Sequence, residues 1–295
     1  MQSHPSLSLL RQESRTRHGP VPKVIGGNAV PPGHSRLLGD EYLMRPDDAL
    51  SFYYRRGQGI TVERGPGADL EAERLYLNGS VYAAMASING FMPIHASAVA
   101  FGGKAIAFTA PSGGGKSTLV AALGRAGLPM VCDDTLVLEI AGAGAVVALP
   151  GHKRLKLLPD ALALAGAARQ EEVGAETGKF YAAPPGGVWG APLELGGLVF
   201  LEESSDVSFR HITGAERFAR LQDDHYTANL FHAAGSYSPE RLFALRARLA
   251  RAIPMACFSR PRDEIRFTEG VAAVMEALPG LASPHGTSFG TGQLR

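Results

Sequence analysis

The residues whose types and spacing best suit chemistry form a glycine-rich run, 110–118, which reads APSGGGKST. A phosphate-binding loop requires the pattern G-x-x-x-x-G-K-[ST], and every position fits except the first, where Ala110 replaces glycine. Glycines can adopt the positive φ angles that turn successive backbone N–H groups inward around an anion. The run therefore predicts a nucleotide phosphate site, and the alternative is a flexible turn between a strand and a helix.

The members of this run have separate predicted roles. The residues expected to bind the nucleotide are Ser112, Gly113, Gly114, Gly115, Lys116, Ser117 and Thr118. Lys116 is expected to reach the β- and γ-phosphates, and the N-terminus of the following helix adds partial positive charge. The Ser117 hydroxyl is a candidate ligand for Mg²⁺, which prefers oxygen donors. Ala110 can replace glycine if its backbone is extended rather than left-handed.

Two adjacent carboxylates, Asp133 and Asp134, follow Ser117 by sixteen and seventeen residues. A P-loop protein needs a carboxylate for its metal, and a second one can accept the proton of an attacking hydroxyl. Both are therefore predicted to be catalytic. Because side chains alternate along a strand, the two carboxylates are expected to point to opposite sides, and either could be the metal ligand or the proton acceptor. Asp134 is taken as the metal ligand beside Ser117. The alternative is a turn or helix-capping pair, since Asp is common after strands.

The elements that must position these groups follow from the hydrophobic pattern. Strands are predicted at 96–99 and 104–109, a helix at 116–125 stopped by Gly127, and a buried strand at 128–132. The loop and the two aspartates then follow strand ends, which is where ligand groups lie in open α/β sheets.

The rest of the chain divides into four predicted regions. Residues 1–35 are rich in Pro, Gly, Ser and Arg and are expected to be a disordered arm, and 283–295 a flexible tail. Residues 36–93 are a strand and helix region, with a hairpin at 50–63 and a helix at 69–90. Residues 94–282 are the core that contains the loop. Its further predicted elements are a hairpin at 135–149, a helix at 159–169, a loop or lid at 170–192, a strand at 195–201, helices at 213–234 and 238–252, a strand at 255–258 and a helix at 268–278.

Composition excludes several classes of protein. Hydrophobic residues make up 45% of the 295 residues and charged residues 19%, which is an ordinary globular balance. A net charge of +1 argues against a general nucleic-acid binder or a polybasic membrane binder. Two cysteines suit a reducing cytosol, so a cytoplasmic location is expected, and the apolar runs are too short to span a bilayer.

From His95-Ala96-Ser97-Ala98-Val99 through the loop to Asp133-Asp134, the sequence resembles the HPr kinase/phosphorylase family, especially its smaller HPr-kinase-like serine kinases. That family shares a P-loop fold with the ATP-dependent phosphoenolpyruvate carboxykinases. The resemblance implies an α/β kinase core with a mixed sheet and flanking helices. It also implies that one aspartate joins Ser117 on Mg²⁺, that the other activates a serine hydroxyl, and that His95 lies close to the phosphates as a catalytic residue. The alternative for His95 is a core histidine.

A second stretch, 193–199, reads LELGGLV and resembles the family signature E-x-R-G-L-G. The resemblance implies a metal ligand at Glu194, and the alternative is an exposed residue at the start of a strand. The arginine of the signature is Gly196 here, and its second glycine is Val199. These departures argue against phosphorylase activity and against HPr as the substrate.

The loop and the aspartates predict an ATP- and Mg²⁺-dependent phosphotransferase, and the resemblance implies a kinase that phosphorylates a serine of a peptide or small protein. Small relatives in this family modify ribosomally made peptides, including lasso-peptide precursors. The alternatives are an HPr serine kinase/phosphorylase that regulates carbohydrate uptake, and a non-catalytic nucleotide-binding module. Four cations near the predicted lid, Lys153, Arg154, Lys156 and Lys179, are either a phosphate clamp or a solvated face. The arginine-rich helix at 241–251 is interpreted as an outer surface or a subunit contact rather than a nucleic-acid site, which leaves a homo-oligomer open.

Overall fold

The computed structural model describes residues 4–140, 145–173, 177–222 and 233–283. The helices are α1 (Pro5–Glu13), α2 (Leu70–Asn78), α3 (Ser80–Ile88), α4 (Lys116–Arg125), α5 (Pro159–Ala165), α6 (Ala215–Arg220), α7 (Pro239–Ala252) and α8 (Phe267–Ala282). The first strands are β1 (Thr16–His18), β2 (Val24–Ile25), β3 (Asn28–Ala29), β4 (His34–Leu38), β5 (Glu41–Arg45), β6 (Leu50–Arg55), β7 (Gly59–Arg64), β8 (Met92–Ile94), β9 (Ala96–Phe101) and β10 (Lys104–Thr109). The later strands are β11 (Met130–Cys132), β12 (Leu136–Glu139), β13 (Val147–Leu149), β14 (Leu155–Leu157), β15 (Arg169–Glu172), β16 (Phe180–Ala182), β17 (Leu193–Glu203), β18 (Ser208–Ile212) and β19 (Met255–Arg260).

The fold is mixed α/β, and its largest sheet contains parallel and antiparallel pairs. Strands β10, β17 and β19 run parallel, with β17 between the other two. Strand β9 is antiparallel to both β10 and β11, so β11 runs in the same direction as β10. The carboxyl ends of β10, β11, β17 and β19 therefore lie at one edge of the sheet, together with the amino end of β9. We call this the loop edge, because the glycine-rich run follows β10 there.

Several predicted elements of the core are confirmed. Strands β9 and β10 form an antiparallel hairpin, and β12 and β13 form another. Helix α4 packs an apolar face that includes Leu119, Val120 and Leu123. It stops where predicted, because Gly127 has a φ of 92° and lets the Leu128 amide donate back to the Leu123 carbonyl.

A second sheet has the order β1-β7-β6-β5-β4, and β6 and β7 form the hairpin predicted at 50–63. One cluster of buried apolar side chains extends from this sheet into the core. It includes Phe52 and Tyr54 from the N-terminal sheet and Ala98, Leu198 and Leu249 from the core. The region predicted at 36–93 therefore shares its hydrophobic interior with the loop-containing core.

The sequence predicts a disordered arm over residues 1–35, whereas the structure has helix α1 and short strands within residues 4–35. Helix α1 begins with Pro5, whose fixed φ suits the first turn, and it buries Leu7 and Leu10. At its end, the Glu13 carboxylate accepts from the Tyr54 hydroxyl at 2.7 Å and from the Gly57 amide at 2.9 Å. The two-leucine stripe is too short to stand out in the sequence, and the partners of Glu13 lie more than forty residues away.

Three other predictions need correction. The helix expected over 69–90 is two helices, because the chain breaks at Gly79. The predicted lid at 170–192 contains part of β15 and all of β16, which join β14 in a small sheet. The helix expected at 159–169 ends at Ala165, because Gly166 is left-handed. Residues 223–232 of the helix expected over 213–234, and nearly all of the predicted tail, lie outside the described residues. In the parts of the chain that the structure covers, none of the helices has the length and apolarity that a membrane span requires.

Candidate functional site

The glycine-rich run forms a compact loop between β10 and α4. Gly113 and Gly115 have φ angles of 77° and 80°, which is the left-handed region that favours glycine. The Gly114 amide donates to the Pro111 carbonyl at 3.0 Å, which closes a tight turn. Ala110 is not among the described residues with positive φ, which is the condition under which alanine can replace the first glycine of the pattern. Two left-handed glycines at the N-terminus of a helix form a geometry that suits anion binding.

Lys116 is buried at the base of this loop. Its ammonium donates to the carbonyls of Ala110 and Pro111 at 3.0 and 3.3 Å, and it lies 2.7 Å from Nε2 of His95. Burial lowers the pKa of Lys116 to about 8, and the nearby charges of Lys179 and Lys156 also lower it, against the opposing effect of the two aspartates. The amine is charged at neutral pH, and this pH lies only about one unit below its pKa.

His95 connects Lys116 to the acidic pair. Because an ammonium can only donate, Nε2 of His95 accepts, and the neutral ring then carries its proton on Nδ1. That Nδ1 atom lies 3.5 Å from Oδ1 of Asp134. Burial lowers the pKa of His95, and the charge of Lys116 lowers it further, so the ring is neutral at physiological pH. The structure thus brings His95 to the predicted site.

Asp133 lies behind the loop and is fully buried. Its Oδ1 accepts from the hydroxyls of Ser97 at 2.6 Å and Ser117 at 2.8 Å. Its Oδ2 accepts from the backbone amide of Lys156 at 3.4 Å. The side chain is therefore held in one orientation, with an oxygen beside the Ser117 hydroxyl.

Asp134 faces the cleft instead, and its backbone has a positive φ of 73°. The ammonium of Lys156 donates to its Oδ2 at 2.8 Å, and His95 lies on its other oxygen. Burial alone would raise the pKa of Asp134. The charge and hydrogen bond of Lys156, with smaller contributions from His95 and Lys116, outweigh burial and lower it. Asp134 is an ionised carboxylate exposed to whatever enters the cleft.

These contacts change the expected division of roles. The predicted metal pair was Ser117 with Asp134, but the carboxylate in contact with Ser117 is that of Asp133. The difference arises because the two aspartates after β11 point to different sides: Asp133 contacts Ser117 at the start of α4, and Asp134 lines the cleft. The two oxygens best placed to share a cation are those of Ser117 and Asp133.

The structure does not bring Glu194 to this site. In the parallel register, Glu194 pairs with Lys104 at the start of β10, and its carboxylate lies 3.1 Å from the Lys104 ammonium. The loop follows the other end of β10, six residues further along, which is roughly 20 Å at the rise of an extended strand. Glu194, half-exposed at the start of β17, is therefore the strand-entry residue of the alternative interpretation.

Of the four cations near the predicted lid, two line the site and two make other contacts. Lys153 donates to the carbonyls of Val131 and Trp189, so it joins two backbone segments. Arg154 lies 3.8 Å from the ring centre of Tyr181 and pairs with Glu171. Lys156 and Lys179, in contrast, line the cleft in front of the loop. The residues that line this transfer cleft, as we call it, are Leu75, His95, Ser112, Gly113, Gly115, Lys116, Ser117, Thr118, Asp134, Lys156, Leu157, Leu158, Ala161, Thr177 and Lys179.

Two residues at the site had no predicted role. Ser97 is a fully buried hydroxyl in an otherwise apolar strand, and that isolated polar position was the available signal. Arg260 ends β19 and donates to the Gly114 carbonyl at 2.8 Å, although 146 residues separate the two. A basic residue at a strand end is a weak signal on its own, because the pairing of β19 with β17 is what brings it to the loop.

No protein-family model matches the chain, and no curated protein matches it. Among solved structures, the chain is similar to the HPr(Ser) kinase/phosphatase from Coxiella burnetii. That similarity has a TM-score of 0.33 and a sequence identity of 13%, and it covers 65% of this chain and 99% of the other.

Proposed function

We propose that the chain is an ATP- and Mg²⁺-dependent kinase that transfers the γ-phosphoryl group to a serine hydroxyl of a peptide or small protein. The observation that carries the proposal is the convergence of the phosphate loop, Lys116, the Ser117–Asp133 pair and the ionised Asp134 around one cleft. The serine and the peptide class of acceptor come from the sequence resemblance over residues 95–134.

The charge around the transfer cleft suits a triphosphate. Lys116, Lys156 and Lys179 all line it, and the loop adds backbone N–H groups at the N-terminus of α4. Phosphoryl transfer depends mainly on positioning and on neutralising charge that spreads over the γ-phosphate oxygens. Because these groups are partly or fully buried, their electrostatic effect on a bound phosphate is stronger than it would be in water.

The oxygen donors at the loop fit Mg²⁺. Ser117 and Asp133 present hydroxyl and carboxylate oxygens 2.8 Å apart, and Mg²⁺ takes such ligands while keeping several waters. Ser117 and Asp133 would hold the ion, which when bound neutralises charge on the β- and γ-phosphates. The hydroxyl of Ser97 keeps the Asp133 carboxylate oriented for this role.

Asp134 is proposed to accept the proton of the acceptor serine. As the serine oxygen bonds to the γ-phosphorus, the bond from phosphorus to the bridging oxygen breaks, and ADP leaves with that electron pair. The serine proton passes to a carboxylate oxygen of Asp134. Lys156 holds Asp134 in place, and His95 lies between Asp134 and Lys116.

The test is a transfer assay with purified protein, Mg²⁺ and γ-labelled ATP. The acceptors are a panel of serine peptides, each with a twin in which alanine replaces the serine. We expect label on serine peptides alone, with one ADP formed per phosphoserine, and loss of transfer in Asp134→Asn.

Two other outcomes would identify the alternatives instead. ATP binding without transfer to an acceptor that a known serine kinase phosphorylates would indicate a nucleotide-binding module. Phosphate-dependent removal of the label from phosphoserine would indicate a kinase/phosphorylase.

A further inference from the structure

Arg260 is a cation that rests on the phosphate loop. Its Nη2 atom donates to the Gly114 carbonyl at 2.8 Å, and a Cβ on Gly115 would lie 2.4 Å from the same Nη2 atom. Strand β19 ends at Arg260, so the loop edge of the sheet presents the guanidinium beside the loop from a rigid element.

The guanidinium of Arg260 is short of anionic partners. No carboxylate lies within 4 Å of it among the residues that the structure describes, whereas its neighbour Arg262 pairs with Glu203 at 2.9 Å. Its Nε is buried without a hydrogen-bond partner in the same described set. A partly buried arginine without a carboxylate, placed against a phosphate loop, is suited to binding a phosphate through its forked donors.

A second cleft begins at Arg260 and extends away from the transfer cleft. One wall comes from α5 and the residue before it, and it is mainly apolar. The other wall is the polar segment 260–264, with Phe267 at its end. The residues that line this cleft are Gly113, Gly114, Gly115, Thr118, Leu158, Asp160, Ala161, Leu164, Arg260, Pro261, Arg262, Asp263, Glu264 and Phe267. An apolar surface for a base beside carboxylates that can accept from ribose hydroxyls suits a nucleoside.

The position of this cleft also selects its occupant. In phosphoryl transfer, the acceptor oxygen and the leaving oxygen lie on opposite sides of the γ-phosphorus. Asp134, which faces the acceptor, lines the transfer cleft but not the second cleft, while Gly113 and Gly115 line both. The second cleft therefore lies where the leaving ADP extends.

We infer that the cleft between α5 and residues 260–267 binds the nucleoside of the nucleotide, and that Arg260 contacts its phosphate chain. This inference rests on the proposed function, because it takes a nucleoside triphosphate as the substrate. It assigns the nucleoside-binding wall to Leu164 and Phe267, and it assigns a phosphate contact to a residue 146 positions away from the loop.

The test compares Mg²⁺-ATP with inorganic tripolyphosphate by titration calorimetry. Leu164→Trp fills the cleft, and its matched control is Leu9→Trp on the exposed side of α1, where Leu9 is 37% exposed. Arg260→Gln removes the charge, and its matched control is Arg251→Gln on the exposed surface of α7. Thermal unfolding of each variant shows whether it is folded. If Arg260→Gln does not fold, Arg260→Lys, which keeps the charge, is used in its place.

We expect wild-type protein to bind ATP at least about tenfold more tightly than tripolyphosphate. Leu164→Trp should remove that difference and leave tripolyphosphate binding unchanged. Arg260→Gln should weaken both ligands about tenfold or more, because a hydrogen bond to a charged group is lost. The two control variants should bind both ligands as wild type does.

Equal binding of ATP and tripolyphosphate to wild type would overturn the inference. So would a Leu164→Trp variant that keeps ATP binding and loses phosphorylation of the peptide, because the cleft would then belong to the acceptor. Those results leave the kinase proposal standing. Wild-type protein that binds neither ligand would instead refute the proposed function itself.

Discussion

The Lys116 ammonium contacts two loop carbonyls and Nε2 of His95. Its pKa of about 8 reflects burial first of all, so a bound phosphate, which brings negative charge, should raise that pKa. Binding above pH 8 then takes up a proton. The affinity for Mg²⁺-ATP should therefore fall as pH rises, by up to about tenfold per pH unit between the free and bound pKa values.

The measurement is the Kd for Mg²⁺-ATP from pH 7 to pH 9.5 in wild type and in Lys116→Arg. Arginine stays charged over this range, so the slope above pH 8 should disappear in the variant. Lys153 also has a pKa lowered to about 8 by burial, but it is unchanged in both proteins and contacts backbone carbonyls outside the loop. An equal slope in both proteins would show that the titrating group is not Lys116.

The different environments of the two aspartates lead to a second prediction. Asp134→Asn should lower the transfer rate by about a hundredfold or more, because the proposed proton acceptor is lost. ATP affinity should stay the same or rise, since a negative charge leaves the cleft. Asp133→Asn should destabilise the fold by about 1–3 kcal/mol, because asparagine has only one acceptor oxygen, so either the two serine hydroxyls or the Lys156 amide loses its acceptor.

Single-turnover transfer rates and urea unfolding separate these effects, and Mn²⁺ resonance in the ATP complex shows which variant loses the metal. We expect the metal signal to change in Asp133→Asn and to persist in Asp134→Asn. The reverse result would indicate that Ser117 and Asp134 bind the metal.

The site residues predicted from the sequence were those whose positions depend on local chain geometry. Lys116 and Ser117 follow the glycines of a single loop, and the aspartates follow one strand, so spacing alone was informative. Arg260 depends on strand pairing across 146 residues, which no local pattern encodes. Glu194 was expected at the site but lies at the other end of the strands, beside Lys104. The sequence signature that suggested it does not specify which end of β17 faces the loop.

At the scale of the loop as an element, Ala110 and Gly114 depend on each other. A Cβ on Gly114 would lie 2.5 Å from the Cβ of Ala110 and 2.9 Å from the Pro111 carbonyl oxygen. Gly114→Ala should therefore distort the loop and weaken ATP binding about tenfold or more, since the N–H groups proposed to bind the phosphates would shift. The double variant with Ala110→Gly should recover part of the loss, because the shorter of the two contacts disappears.

Titration calorimetry of the two single variants and the double variant gives the coupling between these positions. Ala110→Gly alone serves as the control and should bind ATP nearly as wild type does. Additive effects in the double variant would show that the two side chains do not meet in the folded loop.

Element boundaries were predicted well where a local stop exists and poorly where tertiary contacts decide them. Gly127 ended α4 as expected, because a left-handed glycine closes a helix by itself. The lid region instead gained β15 and β16 through pairing with β14, which a charged and Pro/Gly-rich sequence does not show. The break between α2 and α3 occurs at Gly79. The apolar pattern continues on both sides of this glycine, so it did not indicate the break.

At the scale of the whole molecule, the N-terminal region and the loop-containing core are joined by polar contacts as well as by the shared apolar cluster. The Tyr237 hydroxyl donates to the Phe91 carbonyl at 2.5 Å, and Arg56 donates to the Ser236 hydroxyl at 2.6 Å. Within the N-terminal region, Asn89 donates to the Tyr54 hydroxyl at 2.6 Å, and that hydroxyl donates to Glu13 of α1. Stability in one region should therefore depend on packing in the other.

Helix α1 allows a direct test of that dependence with two neighbouring leucines. Leu10 is 2% exposed and belongs to the shared cluster, whereas Leu9 is 37% exposed on the other side of the helix. Leu10→Ala should lower the free energy of unfolding by about 2–5 kcal/mol, because it removes a buried side chain and leaves a cavity. Leu9→Ala should change it by no more than about 0.5 kcal/mol. Urea unfolding followed by Trp189 fluorescence, which reports on the core, should show the Leu10→Ala loss. If Trp189 unfolded at the same urea concentration in both variants, α1 would not be part of the cooperative core.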